Sequence, residues 1–193
     1  MKKTPRCARG FTLIELMVVM AIITVISTLV LARYGQFNGV VLLRNLAYDV
    51  ALTVRQAQVY GISGKVGTGT AGVQYGVYFT SANPTQYLLF ADNNGSDSYT
   101  AGEEIEIYRV RPGYSVYNFC GDLPSGSPHC SLTEDITNMT LLFRRPDPDA
   151  RISTSAFPSG YTQARIVVRS PSGDTRTVTV TAIGQISIQQ GIN

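Results

Sequence analysis

One acidic stretch of the sequence, residues 92–104, concentrates oxygen-bearing side chains of the kind that bind a hard cation. Four of them occur at the spacing of ligands in a calcium-binding loop: Asp92, Asn94, Ser96 and Glu103. An EF-hand loop also requires glycine at its sixth position, where this chain has Asp97. The alternative is a solvated hairpin loop in which an Asn-Gly pair supplies the turn, and we favour it.

Two cysteines, Cys120 and Cys130, flank a loop that also contains the only histidine of the chain, His129. A single histidine cannot build a multi-histidine metal centre, and a metal site at the two cysteines would need further ligands. In an oxidising compartment the two thiols would form a disulfide, which is our prediction. The third cysteine, Cys7, lies in the N-terminal tip, where we expect it to stay reduced.

The sequence shows no recognisable arrangement of catalytic side chains. It lacks a Gly-x-Ser-x-Gly motif followed by a histidine. The neighbouring carboxylates Glu134 and Asp135 are expected to be solvated. We therefore predict that the protein is not an enzyme and uses no cofactor.

The C-terminal region, residues 139–193, is basic, with six arginines against three acidic residues. Residues 91–138 have the opposite balance, eight acidic residues against two arginines. An arginine-bearing face could contact the phosphates of DNA, and the candidates for such contacts lie on predicted strands: Arg165, Arg169 and Arg176. The alternative is that these arginines solvate the outer face of a sheet, and we favour it.

The elements that must carry these residues begin with an apolar segment, residues 11–32, which contains one charged residue, Glu15. As a helix it would span about 33 Å, enough to cross a hydrocarbon core of about 30 Å. Four basic residues precede it without an acidic one, which predicts a cytoplasmic N-terminus. Because the apolar run is longer than that of a cleaved secretory signal, we predict a retained membrane anchor.

Beyond the anchor, apolar residues recur at helical spacing over residues 33–60, which predicts an amphipathic continuation of the helix. From residue 61 onward the period changes to two, in eight short segments separated by turn residues, with the clearest hairpin turn at residues 170–174. We predict an α+β fold, a long N-terminal helix packed against an antiparallel β-sheet domain of residues 61–193.

The N-terminal residues Gly10-Phe11-Thr12-Leu13-Ile14-Glu15 follow a short basic leader and open the apolar segment. This arrangement resembles the prepilin peptidase site of type IV pilins and type II secretion pseudopilins. The resemblance implies cleavage after Gly10, N-methylation of Phe11, and pairing of Glu15 with the N-terminal ammonium of a neighbouring subunit during assembly. A buried carboxylate is tolerable beside such a cation.

The pattern over residues 11–193 is similar to that of the minor subunits called GspH in type II secretion and FimT in type IV pili. DNA-binding FimT proteins carry a Gly-Arg-x-Arg motif near the C-terminus, and the equivalent place here reads Gly184-Gln185-Ile186-Ser187. Both arginines are missing, which weakens the main electrostatic contribution to DNA binding. The whole chain has a net charge of +3, but removal of the basic leader leaves 12 basic against 13 acidic residues.

We therefore expect a structural minor pilin or pseudopilin that prepilin peptidase processes. It would join other minor and major subunits at the tip or initiation complex of a filament. The alternative is a DNA-binding minor pilin that acts in DNA uptake. The implied location is the lipid of the inner membrane, with a cytoplasmic N-terminus and a periplasmic C-terminal domain, before incorporation into a pilus or pseudopilus.

Overall fold

The structure is a computed structural model that describes residues 10–63, 73–133 and 135–190, without the side chains of residues 32–38. The chain divides into two compact units, residues 1–38 and residues 39–193. One helix, α1 (Leu13–Ser63), contributes to both units. Each unit is described by itself.

The helix of the first unit is apolar on all sides. Its stretch Leu13–Leu31 has a mean hydropathy of 2.6, and its apolar side chains are exposed all along it, from Leu13 to Leu31. Two hydroxyl side chains within this stretch, Thr24 and Thr28, donate hydrogen bonds to the carbonyl oxygens four residues earlier, each at 2.8 Å. A helix that is apolar all round, with these two threonine hydroxyls bonded to its own backbone, has the length and composition of a membrane span.

Within its described residues, the second unit contains the C-terminal part of α1 and ten strands. The strands are β1 (Gln74–Thr80), β2 (Gln86–Asp92), β3 (Glu104–Arg109), β4 (Ser115–Asp122), β5 (His129–Cys130), β6 (Asn138–Phe143), β7 (Ala150–Thr154), β8 (Gln163–Arg169), β9 (Thr175–Thr181) and β10 (Ile186–Gln190). A short 3₁₀ helix, Ser131–Thr133, follows β5. The predicted α+β class is confirmed.

The strands form two five-stranded antiparallel sheets. The first sheet has the order β3-β2-β1-β6-β7, and the second has the order β10-β9-β8-β4-β5. The predicted hairpin between β8 and β9 is present: Ser170 and Asp174 close it through a 2.9 Å backbone hydrogen bond, and Gly173 adopts a φ of 94°. A positive φ at this turn favours glycine, which has no Cβ to clash.

The core lies between the sheets and one face of α1. Five apolar helix residues are at most 2% exposed: Leu43, Ala47, Val50, Val54 and Ala57. Their spacing of three and four places them on one side of the helix, where they join inward-facing residues of both sheets in one cluster. Two residues of the predicted apolar face differ, because Val40 is 45% exposed and Leu46 is only partly buried.

Candidate functional site

The predicted processing site lies just before the first turn of α1. A Cβ atom on Gly10 would meet nothing within 4 Å, and Phe11 is 83% exposed. The Thr12 hydroxyl accepts a hydrogen bond from the Glu15 backbone N–H at 3.3 Å, which caps the helix. The bond after Gly10 is therefore sterically open. The leader residues 1–9, including Cys7, lie outside the described residues.

The Glu15 carboxylate occupies the first turn of α1 and is exposed. A negative charge there is stabilised by the partial positive charge of the helix N-terminus, and Thr12-x-x-Glu15 has the residue types of a capping box. These two local effects make an acidic residue tolerable near the start of an apolar helix. They leave the carboxylate oxygens able to accept a cation from outside the chain.

The predicted disulfide is present in the second unit. Cys120 and Cys130 are bonded, with their Cα atoms 4.1 Å apart, and they lie opposite each other on β4 and β5. His129 belongs to the same short strand, and its ring packs 4.9 Å from the ring of Phe157. The disulfide links the short edge strand β5 covalently to β4, its neighbour in the second sheet.

The acidic loop of residues 92–104 uses its two buried carboxylates to bind its own backbone. Asp92 accepts hydrogen bonds from the N–H groups of residues 95, 96 and 97 at 2.7–3.1 Å. Glu103 accepts from those of residues 93 and 100 at 3.0 and 2.9 Å. Of the other two proposed calcium ligands, Asn94 accepts from Ser96 N–H at 2.8 Å.

The carboxylate oxygens of Asp92 and Glu103 are thus directed at backbone N–H groups, as in side chains that cap helices and turns. This arrangement favours a loop closed by its own hydrogen bonds over a calcium site. Within the described ranges, no group of three or more His, Cys, Asp or Glu side chains is placed to hold a metal ion. Most residues of the loop are exposed, but its Tyr99 side chain is partly buried. Its Tyr99 ring covers Phe90 of β2 and Tyr78 of β1, at centroid distances of 5.6 and 4.8 Å.

Burial and a hydrogen bond to Glu104 raise the pKa of Tyr99 to about 12. The same hydrogen bond lowers the pKa of Glu104. An ion pair between Arg151 and Asp97, with N and O atoms 3.1 Å apart, fastens the far side of the loop to β7. The loop thus acts as a cover for the outer face of the first sheet.

The three arginines proposed for DNA contact do not share a face. Val168 pairs with Arg176 across β8 and β9, so Arg176 lies on the same side of the sheet as the buried Val168. Strand alternation puts Arg165 and Arg169 on the opposite side. The predicted basic face is therefore smaller than the sequence suggests.

The two arginines on the outer face are already engaged. Arg165 forms an ion pair with Asp122, with Nη2 and Oδ1 2.7 Å apart, which neutralises its charge locally. The Arg169 guanidinium lies 4.6 Å from the centroid of the Tyr117 ring. Only Arg169 keeps its positive charge without an acidic partner on this face of the described chain, and one such charge gives a weak phosphate site.

The segment Gly184-Gln185-Ile186-Ser187 contains the end of the turn after β9 and the first two residues of β10. Gly184 has a φ of 81°, and a Cβ there would lie 2.3 Å from the carbonyl oxygen of Pro148. The buried Gln58 amide of α1 donates hydrogen bonds to the carbonyl oxygens of Pro148 and Gly184, at 2.9 and 3.1 Å. This glycine therefore has a packing role that is independent of any arginine beside it.

A cleft of about 770 Å³ that sequence reasoning missed lies between α1 and the outer strand β3 of the first sheet. Its floor contains Tyr87 and Tyr108, whose rings stack at 5.2 Å with an angle of 9°. The Tyr108 hydroxyl lies 3.1 Å from Gln56 Oε1 and 2.7 Å from Glu106 Oε2. Burial, and then the hydrogen bond to Glu106, raise the pKa of Tyr108 to about 12.

The lining of this cleft combines apolar and charged residues from distant parts of the sequence. Leu46 and Leu52 of α1 contribute apolar surface, and Asp49, Arg109 and Arg111 contribute charge. Its two walls are separated by about fifty residues in the sequence, so no local motif could have revealed it. The only available signal was the unusual number of tyrosines.

The N-terminal segment matches one protein-family model, the prokaryotic N-terminal methylation motif, over residues 5–31. The matched region contains the predicted cleavage site, Phe11 and Glu15, together with the apolar stretch of α1. No curated protein and no solved structure shows significant similarity to the chain, so the resemblance to GspH and FimT is not confirmed. The chain carries the N-terminal signal of type IV pilin-like proteins, which prepilin peptidase processes for assembly with other pilins.

Proposed function

We propose that this protein is a minor structural subunit of a type IV pilus or a type II secretion pseudopilus. The observation that carries the proposal is the methylation motif at residues 5–31, which is followed directly by a helix of membrane length. A packed, disulfide-bonded α+β domain then provides the exported part. As such a subunit, it helps to start or stabilise a filament.

The membrane helix anchors the subunit in the inner membrane before assembly, with the leader in the cytoplasm and the β-rich domain in the periplasm. Prepilin peptidase removes residues 1–10, and the new N-terminus at Phe11 is methylated. Glu15 then pairs with the N-terminal ammonium of a neighbouring subunit. The exposed position of Glu15 in the first helical turn supports this pairing.

The pairing role of Glu15 has its own test. We expect Glu15→Val to insert into the membrane normally but to be depleted at least fivefold from sheared filaments, because the partner's ammonium would lose its counter-charge. Glu15→Asp keeps the charge and should retain part of the incorporation. Normal incorporation of Glu15→Val would contradict the pairing role.

The filament role is tested by counting surface filaments per cell by electron microscopy in a deletion strain and in the complemented strain. The proposal predicts loss of filaments, restored by the gene, or, if the machine is a secretion pseudopilus, loss of exoprotein secretion that the gene restores. A deletion strain with unchanged filament numbers and unchanged secretion would overturn it. The DNA-uptake alternative gains no support from the arrangement of Arg165, Arg169 and Arg176.

A further inference from the structure

The cleft between α1 and β3 has two walls that run in opposite directions. At one end, Tyr108 of β3 contacts Gln56 of α1 through a 3.1 Å hydrogen bond. At the other end, the Tyr114 hydroxyl donates to the carbonyl oxygen of Gly39 at 3.2 Å. The strand wall, from Tyr108 to Tyr114, therefore runs antiparallel to this part of α1.

The length of the helical wall sets the size of a possible occupant. The lining extends along α1 from Leu42 to Gln56, which corresponds to about 21 Å at about 1.5 Å per residue. An extended peptide rises about 3.3 Å per residue, so about six residues would fill this length. The cleft is too long and too open to be explained as a packing defect of the core.

The strand wall offers backbone hydrogen bonding. β3 is the outer strand of its sheet, and it pairs with β2 along one edge only. Edge strands are commonly guarded by bulges and charges, and here the register shift lies opposite Leu89 and Phe90. The irregularity that would hinder strand addition thus lies at the beginning of β3. The end that lines the cleft, at Tyr108 and Arg109, keeps a regular register.

The two ends of the cleft carry opposite charges, and Asp49 and Arg109 add one charge of each sign to the lining between them. Glu106 lies beside Tyr108 and Gln56 at one end, and Arg111 lies towards Tyr114 at the other. The side chains of Arg109 and Arg111 form no hydrogen bond or ion pair with any other residue that the structure describes. An occupant with charges in the opposite order would complement both ends.

We propose that this cleft binds an extended segment of about six residues from a neighbouring pilin-like subunit. The segment carries a basic side chain at the Glu106 end and an acidic side chain at the Arg111 end, and its apolar side chains contact Leu46 and Leu52. Strand addition of this kind takes affinity from main-chain hydrogen bonds and specificity from side-chain pockets. The inference rests on the proposed function, because it requires neighbouring subunits.

The test is site-specific photo-crosslinking of the full-length protein in cells that make it naturally. A photoreactive residue replaces Leu52, which lines the cleft and is 64% exposed. The matched control replaces Val59, which is 49% exposed on the same helix and does not line the cleft. A third position, Ile23, is 53% exposed in the membrane helix and reports on assembly itself.

We expect the Leu52 probe to give an adduct that mass spectrometry maps to an extended segment of another subunit with a prepilin signal. The segment should have the stated charges, and the Val59 probe should give at least fivefold less of this adduct. Equal yields at the two positions would overturn the inference. So would a Leu52 adduct that maps to glycan, to lipid or to a neighbour's N-terminal helix.

Charge reversal provides a second measurement. Arg111→Glu should lower the Leu52 adduct at least fivefold, whereas Arg144→Glu, an exposed site that does not line the cleft, should leave it unchanged. An unchanged yield in Arg111→Glu would contradict the charge assignment and with it the inference. Membrane levels and disulfide content of both variants establish that they fold.

The Ile23 probe separates the two proposals. If Ile23 crosslinks to a pilin-like subunit and Leu52 does not, the cleft inference fails and the proposed function remains. If neither position crosslinks to such a subunit, both the cleft inference and the filament role are overturned.

Discussion

Both stretches of helix α1 are rich in apolar residues, but they differ in what surrounds those residues. In Leu13–Leu31 the apolar side chains are exposed on every side. Between residues 43 and 57 one face is almost completely buried against the two sheets. The apolar side chains of the first stretch are therefore available for contact with lipid and with other chains. Those of the second stretch are buried by the chain's own domain.

This difference explains where information about function lies. In the apolar stretch almost any large apolar residue meets the requirement for hydropathy, so the one acidic residue, Glu15, stands out. Together with Gly10, which precedes the helix, it forms a recognisable motif. In the domain each buried residue packs against particular neighbours. The pattern of apolar residues there predicts the fold, but it does not indicate which other protein the domain binds. The same contrast predicts which substitutions will affect the free energy of unfolding.

The largest expected effect is on the buried face of α1. We expect Leu43→Ala to lower the free energy of unfolding by about 3 kcal/mol, because Leu43 is 2% exposed and its truncation leaves a cavity. The control, Leu29→Ala, removes the same atoms from a side chain that is 64% exposed and should cost less than about 0.5 kcal/mol. Urea unfolding of the full chain in detergent measures both. Equal losses would remove the distinction between the two stretches.

The next effect concerns the disulfide, a constraint that only the domain has. We expect the double variant Cys120→Ser/Cys130→Ser to lose about 2–3 kcal/mol, since closure of a short loop removes a limited amount of chain entropy from the unfolded state. Reduction of the wild-type disulfide is the comparison and should produce the same loss in urea unfolding. If the double variant unfolded at the wild-type urea concentration, the disulfide would have no role in stabilising the domain.

Gly184→Ala tests whether the turn before β10 is fixed by packing. A Cβ would lie 2.3 Å from a backbone oxygen at a residue with positive φ, so we expect a loss of about 2 kcal/mol. Gly95→Ala is the control, because Gly95 also has a positive φ, 72°, but has nothing within 4 Å of a Cβ. The control should lose about 1 kcal/mol, which is the cost of the backbone conformation alone. Equal losses would show that the contact with Pro148 is unimportant.

The smallest effect is a dependence of domain stability on alkaline pH. Tyr99 and Tyr108 have pKa values of about 12, above the value of about 10 in an unfolded chain. The folded state therefore favours the protonated phenols, so their contribution to stability is complete below pH 10 and is lost as the pH rises towards 12. The urea midpoint should fall over this interval.

Tyr108→Phe should make that fall less steep, because it removes one of the phenols whose pKa is raised in the folded state. A midpoint that stays constant between pH 10 and pH 12 would contradict the hydrogen-bonded burial of these tyrosines.

Much of the fold could be predicted from the sequence because its signals are local. Alternation of apolar residues identified eight of the ten strands that the described part of the chain forms, and Ser170–Asp174 identified a hairpin. The two missed strands, His129–Cys130 and Ala150–Thr154, are short or follow a proline-rich loop, and their pairing depends on residues far along the chain. Strand order is likewise set by long-range pairing. The placement of Arg176 and Arg165 on opposite sides depends on the exact register of the β8–β9 hairpin, which the turn residues alone did not specify.

The candidate sites divide in the same way. The processing motif and the disulfide could be predicted because each depends on a few residues that are close in sequence. The cleft could not, since Asp49 and Arg111 meet only through the tertiary fold. The roles of Asp92 and Glu103 as acceptors of backbone hydrogen bonds also required the path of the loop.

The central claim is that the N-terminal motif is a working prepilin signal. It is tested most directly by mass spectrometry of the N-terminal peptide of the mature protein, purified from strains with and without prepilin peptidase. We predict a chain that begins at N-methylated Phe11 when the peptidase is present, and one that keeps Gly10 and the leader when it is absent. A chain that retains its leader in both strains, or that begins at another residue, would contradict the account.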